Sequence, residues 1–169
     1  IRAVDKFGVH HAAGNHGEQF RDIFLPQGAD FPVGVRMHHS AHTFLREQFI
    51  EQHPAVHTIQ QVEPIGPKKL LDALIIAPCT GNTLSKLAHS VADTAVTMAA
   101  KSHLRNGRPV IVAVSTNDGL AGAAENIGRL LVRKNYYFVP FGQDDARKKP
   151  TSLVADFSLI PQTLEAALE

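Results

Sequence analysis

The sequence predicts an α/β fold, a three-layer Rossmann-like arrangement with a parallel sheet and helices on both of its faces. Three apolar runs of strand length, residues 73–77, 109–114 and 136–139, follow one another along the chain. Segments with the apolar spacing of amphipathic helices separate them, and strands that alternate with helices form parallel sheets with right-handed crossovers. The length of 169 residues suits one domain with one hydrophobic core, so we expect residues 1–169 to form a single domain.

Each of the three runs has the character of a buried strand. Residues 73–77 are continuously apolar between Asp72 and Pro78, as expected for a strand covered on both faces. Residues 109–114 are rich in β-branched side chains, which favour strands. Residues 136–139 are aromatic and apolar, and turn-forming residues follow them.

Four helices are predicted in this part of the chain. Apolar residues recur with helical spacing over residues 83–91, 94–104 and 122–134. Residues 161–168 are predicted to form a short terminal helix. Three basic residues at the end of the third helix, Arg129, Arg133 and Lys134, suit the negative end of its dipole.

The first 57 residues are less regular. They contain eight of the ten histidines, and the only candidate strand, residues 31–35, is interrupted by Pro and Gly. Helices are predicted over residues 18–25 and 43–52. Since the chain does not begin with Met, we expect further residues before Ile1. We interpret the sequence before about Thr58 as doubtful.

Composition excludes several classes of protein. The net charge of +1 and the absence of a large basic cluster argue against nucleic-acid binding. No apolar run approaches the roughly 20 residues of a membrane span, and no signal peptide is predicted. One cysteine, Cys79, indicates a reducing compartment, so a cytoplasmic protein is expected. The histidine spacings match no zinc pattern, so no metal site is predicted.

The polar segment after the first predicted strand is the most informative part of the chain. Thr80, Gly81, Asn82 and Thr83 connect that strand to the next helix. Ligands of parallel α/β folds bind where strands lead into helices at the carboxyl edge of the sheet, and glycine allows close approach of the backbone. An ordinary helix N-cap would use the same residue types, so this segment alone leaves both interpretations open.

A second segment has the same design. Ser115, Thr116, Asn117, Asp118 and Gly119 follow the strand that ends near Val114. The carboxyl ends of neighbouring parallel strands meet at one edge of the sheet, so the two segments are expected to form the walls of one cleft.

Four further side chains could suggest chemistry. Cys79 is interpreted as a small packed residue rather than a nucleophile. Asp93 is interpreted as a capping or turn residue rather than an acid or base. His89 and His103 are expected on helices, facing solvent or a partner. No catalytic acid or base can be named from the sequence.

A family resemblance adds to this interpretation. Residues 77–88 (APCTGNTLSKLA), with 91–93 (VAD), resemble a signature of the flavoprotein family, which includes flavin-containing cysteine decarboxylases and prenyl-flavin synthases. Residues 108–113 (RPVIVA) followed by Asn117 resemble its second segment, without the usual Pro and Met. Sequences of the family normally have a phosphate-binding loop near the amino terminus. Around Gly14 and Asn15 this chain keeps only the glycine spacing of that loop.

Within that family the chain most resembles the B subunits of dipicolinate synthase. Residues 62–67 (VEPIGP), 113–118 (AVSTND) and 134–144 (KNYYFVPFGQD) carry this resemblance, which extends over about residues 58–169. It implies a subunit that supports the oxidation of dihydrodipicolinate to dipicolinate in the mother cell of a spore-forming bacterium. It further implies an A subunit partner that carries NADP and the hydride transfer, a homo-oligomer, and a small dicarboxylate substrate.

The resemblance also implies a cofactor site. FMN would contact residues of both polar segments and, through its phosphate, two residues near the amino terminus. The expected set is Thr80, Gly81, Asn82, Thr83, Ser115, Thr116, Asn117, Gly14 and Asn15. Two alternatives stay open, a stand-alone FMN-dependent decarboxylase or prenyltransferase and a scaffold subunit without catalysis.

Overall fold

A computed structural model of the chain describes residues 24–26 and 56–169. Six strands form its sheet: β1 (Phe24–Pro26), β2 (Leu71–Cys79), β3 (Val110–Thr116), β4 (Tyr136–Phe138), β5 (Phe141–Gly142) and β6 (Leu153–Ala155). The α-helices are α1 (Ile59–Val62), α2 (Gly81–Ala88), α3 (Ala95–Leu104), α4 (Ala124–Leu131) and α5 (Ile160–Leu168). Two 3₁₀ helices, Glu63–Ile65 and Phe157–Leu159, follow α1 and precede α5.

The sheet separates two apolar layers. Alternate residues of β3 point to opposite faces, so Val110 and Val112 pack in one core cluster and Ile111 and Ala113 in the other. The first cluster contains residues of α1 to α4, whereas α5 packs against the second. The predicted three-layer arrangement, with helices on both faces of the sheet, is therefore confirmed.

The centre of the sheet is parallel. β2 pairs with β3, and β3 with β4, both in parallel. The carboxyl-terminal part of β3 also pairs antiparallel with β6, which pairs antiparallel with β5, and β1 lies antiparallel to β2. The antiparallel strands were not predicted, because segments of two or three residues are too short to show a strand period.

The ends of the helices depend on local capping. The Thr80 side chain accepts from the Thr83 backbone N–H and begins α2, two residues before the predicted start. Thr94 and Thr97 form a reciprocal capping box at the start of α3. This start agrees with the helix predicted over residues 94–104. α4 is shorter than predicted, since it begins at Ala124 without a side-chain cap.

The prediction of a helix over residues 18–25 was wrong at its end, because Phe24–Pro26 is a strand. Pairing with β2 outweighs the local helical pattern there. The remainder of that helix, the predicted helix over residues 43–52 and the candidate strand at 31–35 lie outside the described residues.

Candidate functional site

The first polar segment forms the N-terminus of α2. The Thr80 and Thr83 hydroxyl oxygens lie 3.2 Å apart, and the Thr83 backbone N–H donates to Thr80 Oγ1 over 3.4 Å. Both hydroxyl groups are therefore engaged in hydrogen bonds that cap the start of α2. Asn82 is exposed, and its side-chain amide has no hydrogen-bond partner among the described residues. The amide of Asn82 is therefore available to a ligand.

The second polar segment is held by its neighbours in the chain. Ser115 and Thr116 pair with β6, and the Thr151 hydroxyl donates to the Asn117 carbonyl oxygen over 2.7 Å. The Thr116 hydroxyl donates to the Asp118 carboxylate. The Asn117 side chain is exposed and has no hydrogen-bond partner in the described part of the chain.

The two segments meet at the carboxyl edge of the sheet. β2 and β3 are parallel neighbours, and both segments follow their carboxyl ends. A Cβ atom added at Gly81 would lie 2.7 Å from Thr116 Oγ1 and 3.0 Å from Asp118 Oδ1. The predicted meeting of the two segments at one edge is confirmed. Glycine at position 81 is required there by contact with the second segment.

Asp118 was predicted as part of the second polar segment but not as a site residue. Its backbone carbonyl accepts the N–H groups of Ala121 and Ala123 over 2.9 and 3.1 Å, just before α4. A carboxylate near a helix N-terminus is favoured by the helix dipole. Its position directly after Asn117 was the available signal.

The donors at this edge suit a neutral ring more than a phosphate group. Two exposed amides, from Asn82 and Asn117, can exchange hydrogen bonds with a heterocycle that has both donors and acceptors. The Asp118 carboxylate would repel an anion placed beside Gly81. The side chains present fit the uncharged ring edge of a flavin, and the residues expected to hold its phosphate, Gly14 and Asn15, lie outside the described residues.

The remaining candidate side chains have structural roles. Cys79 is fully buried, which confirms its interpretation as a packed residue. Asp93 lies between α2 and α3 and pairs with Lys86 at 2.9 Å, while Thr94 caps the helix. His89 is exposed, and its Nδ1 lies 2.8 Å from the Ser85 carbonyl oxygen.

The expectation for His103 was wrong, because its side chain is fully buried. Burial lowers the pKa of its imidazole, which favours the neutral ring. Nε2 lies 3.0 Å from the Pro109 carbonyl oxygen, so Nε2 carries the hydrogen and donates to this acceptor. Nδ1 has no hydrogen-bond partner in the described structure. Helical periodicity placed His103 on the helix but could not show which face the core would cover.

Neither metal nor membrane features are present in the part of the chain that the structure describes. No three His, Cys, Asp or Glu side chains there come together as a metal site. Within residues 24–26 and 56–169, no helix has the length and apolar character needed to cross a membrane.

A sheet with a parallel centre and two polar segments at its carboxyl edge defines an α/β domain of the Rossmann-like class, whose members bind ligands at that edge. The family model described as Flavoprotein matches residues 26–128, more than half of the chain. The chain therefore belongs to the flavoprotein family.

Particular relatives extend this comparison. The chain is 53% identical over 114 residues to the B subunit of dipicolinate synthase from Bacillus subtilis (strain 168), covering 68% of this chain and 57% of the relative. The chain thus spans little more than half of that relative's length. The crystal structure of the dipicolinate synthase B subunit from Bacillus halodurans matches with a TM-score of 0.71 and 44% identity, over 86% of this chain and 73% of that one.

A more distant solved structure shares the fold. The FMN-dependent cysteine decarboxylase SpaF matches with a TM-score of 0.50 and 21% identity, over 78% of this chain and 77% of that one. At this level of identity the similarity extends to the fold alone.

Proposed function

We propose that the chain is a flavin-binding B subunit of a dipicolinate synthase, acting in the oxidation of dihydrodipicolinate to dipicolinate. The observation that carries this proposal is the 53% identity over 114 residues to the Bacillus subtilis protein of that name. In this proposal residues 1–169 form one domain in the cytoplasm of a sporulating mother cell, assembled as a homo-oligomer. An A subunit carries NADP and the hydride transfer, and the substrate is a small dicarboxylate.

The carboxyl-edge cleft is the proposed FMN site. Asn82 and Asn117 would exchange hydrogen bonds with the ring edge, since both amides are exposed and unengaged within the described residues. Thr80, Gly81 and Thr83 would border the ring from α2, and Ser115 and Thr116 from β3. Gly14 and Asn15 would hold the phosphate. A bound flavin would supply a reversible acceptor of electrons, while these side chains would orient it.

Flavin binding is tested by titrating FMN into the purified chain and measuring the quenching of flavin fluorescence. The double variant Asn82→Ala/Asn117→Ala is expected to weaken binding about ten-fold or more, as loss of two ligand hydrogen bonds requires. Gln162→Ala, which removes an exposed amide from α5, is the control and should bind as the parent chain does. Equal affinities of the two variants would refute the proposed position of the flavin.

The assignment as a synthase component needs a separate measurement. Oxidation of dihydrodipicolinate is expected only when the chain and an A subunit are combined with NADP. A chain that decarboxylates a substrate alone would contradict the assignment and favour the stand-alone decarboxylase. Activity with the A subunit from a chain that binds no FMN would favour a scaffold role.

A further inference from the structure

A cavity of about 380 Å³, half open to solvent, lies away from the two polar segments described above. It is lined by Leu87, Ser90, Ala92, Thr97, Lys101, Leu104, Arg105, Arg133 and Tyr136. These residues come from the carboxyl-terminal end of α2 and the connection that follows it, from α3 and its carboxyl-terminal cap, from the connection after α4, and from the start of β4. Helix ends and strand starts of a parallel α/β unit lie at the amino edge of the sheet. The cavity therefore lies at the edge opposite the Asn82 and Asn117 segments.

The charged residues that line this cavity are all basic. Three of its lining residues are cationic and none is acidic. Lys101 and Arg105 are four residues apart around α3, so their side chains are neighbours on one helix face. Both are exposed, and neither has an ion pair or a hydrogen bond to its side chain among the described residues. Like charges at this spacing repel each other, and a bound anion would remove the repulsion.

Arg133 is held in place by the end of α2. Its guanidinium donates to the Leu87 and Ala88 carbonyl oxygens over 3.1 and 2.6 Å, and to Ser90 Oγ over 3.4 Å. A guanidinium has five N–H donors, so after these three bonds two remain for a ligand. Because the group is already ordered, a ligand would meet a cation whose position is fixed before binding.

The uncharged lining indicates what kind of anion would fit. Leu87, Ala92 and Leu104 present apolar surface beside the cations. The Tyr136 phenol is protonated near neutral pH and can donate a hydrogen bond, and burial raises its pKa further from neutrality. The volume lies within the usual range for small-molecule sites, roughly 300 to 1,000 Å³. An apolar body with more than one negative group matches both parts of this lining.

We propose that the cavity bordered by Lys101, Arg105 and Arg133 is a second ligand site, which binds a small organic anion carrying at least two negative charges. The site shares no residue with the proposed flavin cleft. The position of the site does not depend on the flavin proposal, whereas its ligand class overlaps with the small dicarboxylate substrate of the proposed function, and in that respect the inference rests on that function.

The test is calorimetric titration of the full chain, at low ionic strength, with benzene-1,3-dicarboxylate, benzoate and inorganic phosphate as separate probes. The dicarboxylate is expected to bind at least about ten-fold more tightly than either of the other two, because only it combines two charges with an apolar ring. The Lys101→Ala/Arg105→Ala variant should lose about ten-fold or more of this affinity. Its exposed positions and the helix preference of alanine allow the variant to fold.

Two control variants make the result specific. Arg147→Ala/Lys148→Ala removes the same charge from an exposed loop, and should leave the dissociation constant within about two-fold. Asn82→Ala/Asn117→Ala should also bind the dicarboxylate unchanged, so a failure of the flavin proposal would not be mistaken for a failure here. No binding of the dicarboxylate, or an equal loss in the Arg147 and Lys148 control, would overturn the site. Equally tight binding of phosphate would overturn the organic-anion assignment.

Discussion

The two edges of the sheet differ in the groups that they present. The carboxyl edge carries exposed amides and hydroxyls, with Asp118 beside the start of α4. The amino edge carries Lys101, Arg105 and Arg133. Helix N-termini are partially positive and C-termini partially negative, so acidic groups favour the first edge and basic groups the second. The direction of the helices thus separates an edge of amides, hydroxyls and one carboxylate from a cationic cavity.

The largest effect on stability is expected from adding a methyl group to Gly119 at the carboxyl edge. A Cβ atom at Gly119 would lie 2.6 Å from the Leu153 Cβ atom, and Leu153 is buried in β6. Gly119→Ala should therefore lower the free energy of unfolding by about 1 to 3 kcal/mol, the usual cost of overpacking. Urea unfolding followed by circular dichroism measures the change.

Gly128→Ala is the matched control for that variant. Gly128 lies within α4, and an added Cβ atom would meet nothing within 4 Å. Alanine should raise stability there by about 1 kcal/mol, through its higher helix propensity. If both variants were destabilised equally, the packing of Gly119 against β6 would not explain the loss.

A smaller loss is expected at the amino edge. Arg133→Met keeps much of the apolar stem but removes the bonds to the Leu87 and Ala88 carbonyl oxygens. Because water can partly replace these bonds, the free energy of unfolding should fall by about 1 kcal/mol. Arg147→Met, in an exposed loop, should change it little. Equal urea midpoints for the two variants would show that Arg133 does not stabilise the end of α2.

The buried His103 gives stability a pH dependence of known sign. Its pKa is lowered in the folded state by burial, whereas the unfolded side chain titrates near 6.5. The unfolded chain therefore binds the proton more readily, so stability is full above about pH 6.5 and falls as the pH is lowered below it. Unfolding free energies at pH 7.5 and 5.5 measure this fall.

His103→Gln separates this residue from the other nine histidines in the sequence. Glutamine can still donate to the Pro109 carbonyl oxygen but does not titrate. The variant should lose less stability than the parent chain between pH 7.5 and 5.5. An identical loss in both proteins would assign the effect to other groups.

The smallest effect is expected at the ion pair between Lys86 and Asp93. These side chains are 24% and 55% exposed, and the ions are 2.9 Å apart. Solvent screens such pairs, so Asp93→Asn should cost less than about 1 kcal/mol. A double-mutant cycle with Lys86→Met measures the coupling. A coupling larger than the effect of Arg133→Met would reverse the expected order of the two interactions.

Local sequence determined much of this protein. The apolar runs that form β2, β3 and β4 and the periodicity of α2 to α5 predicted the parallel centre of the sheet. Polar residues after β2 and β3 predicted that two polar segments meet at the carboxyl edge. These features were readable because strand burial and helix capping depend on neighbouring residues along the chain.

Tertiary structure alone decided the remainder. β6 exists through pairing with β3, and β5 through pairing with β6, not through their own pattern. His103 is buried because the core covers its side of α3, and Arg133 binds the carbonyl groups of α2 although it follows α4 in the chain. The amino-edge cavity joins residues from separate elements. Contacts between residues far apart in sequence leave no periodic signal, so only the folded chain shows them.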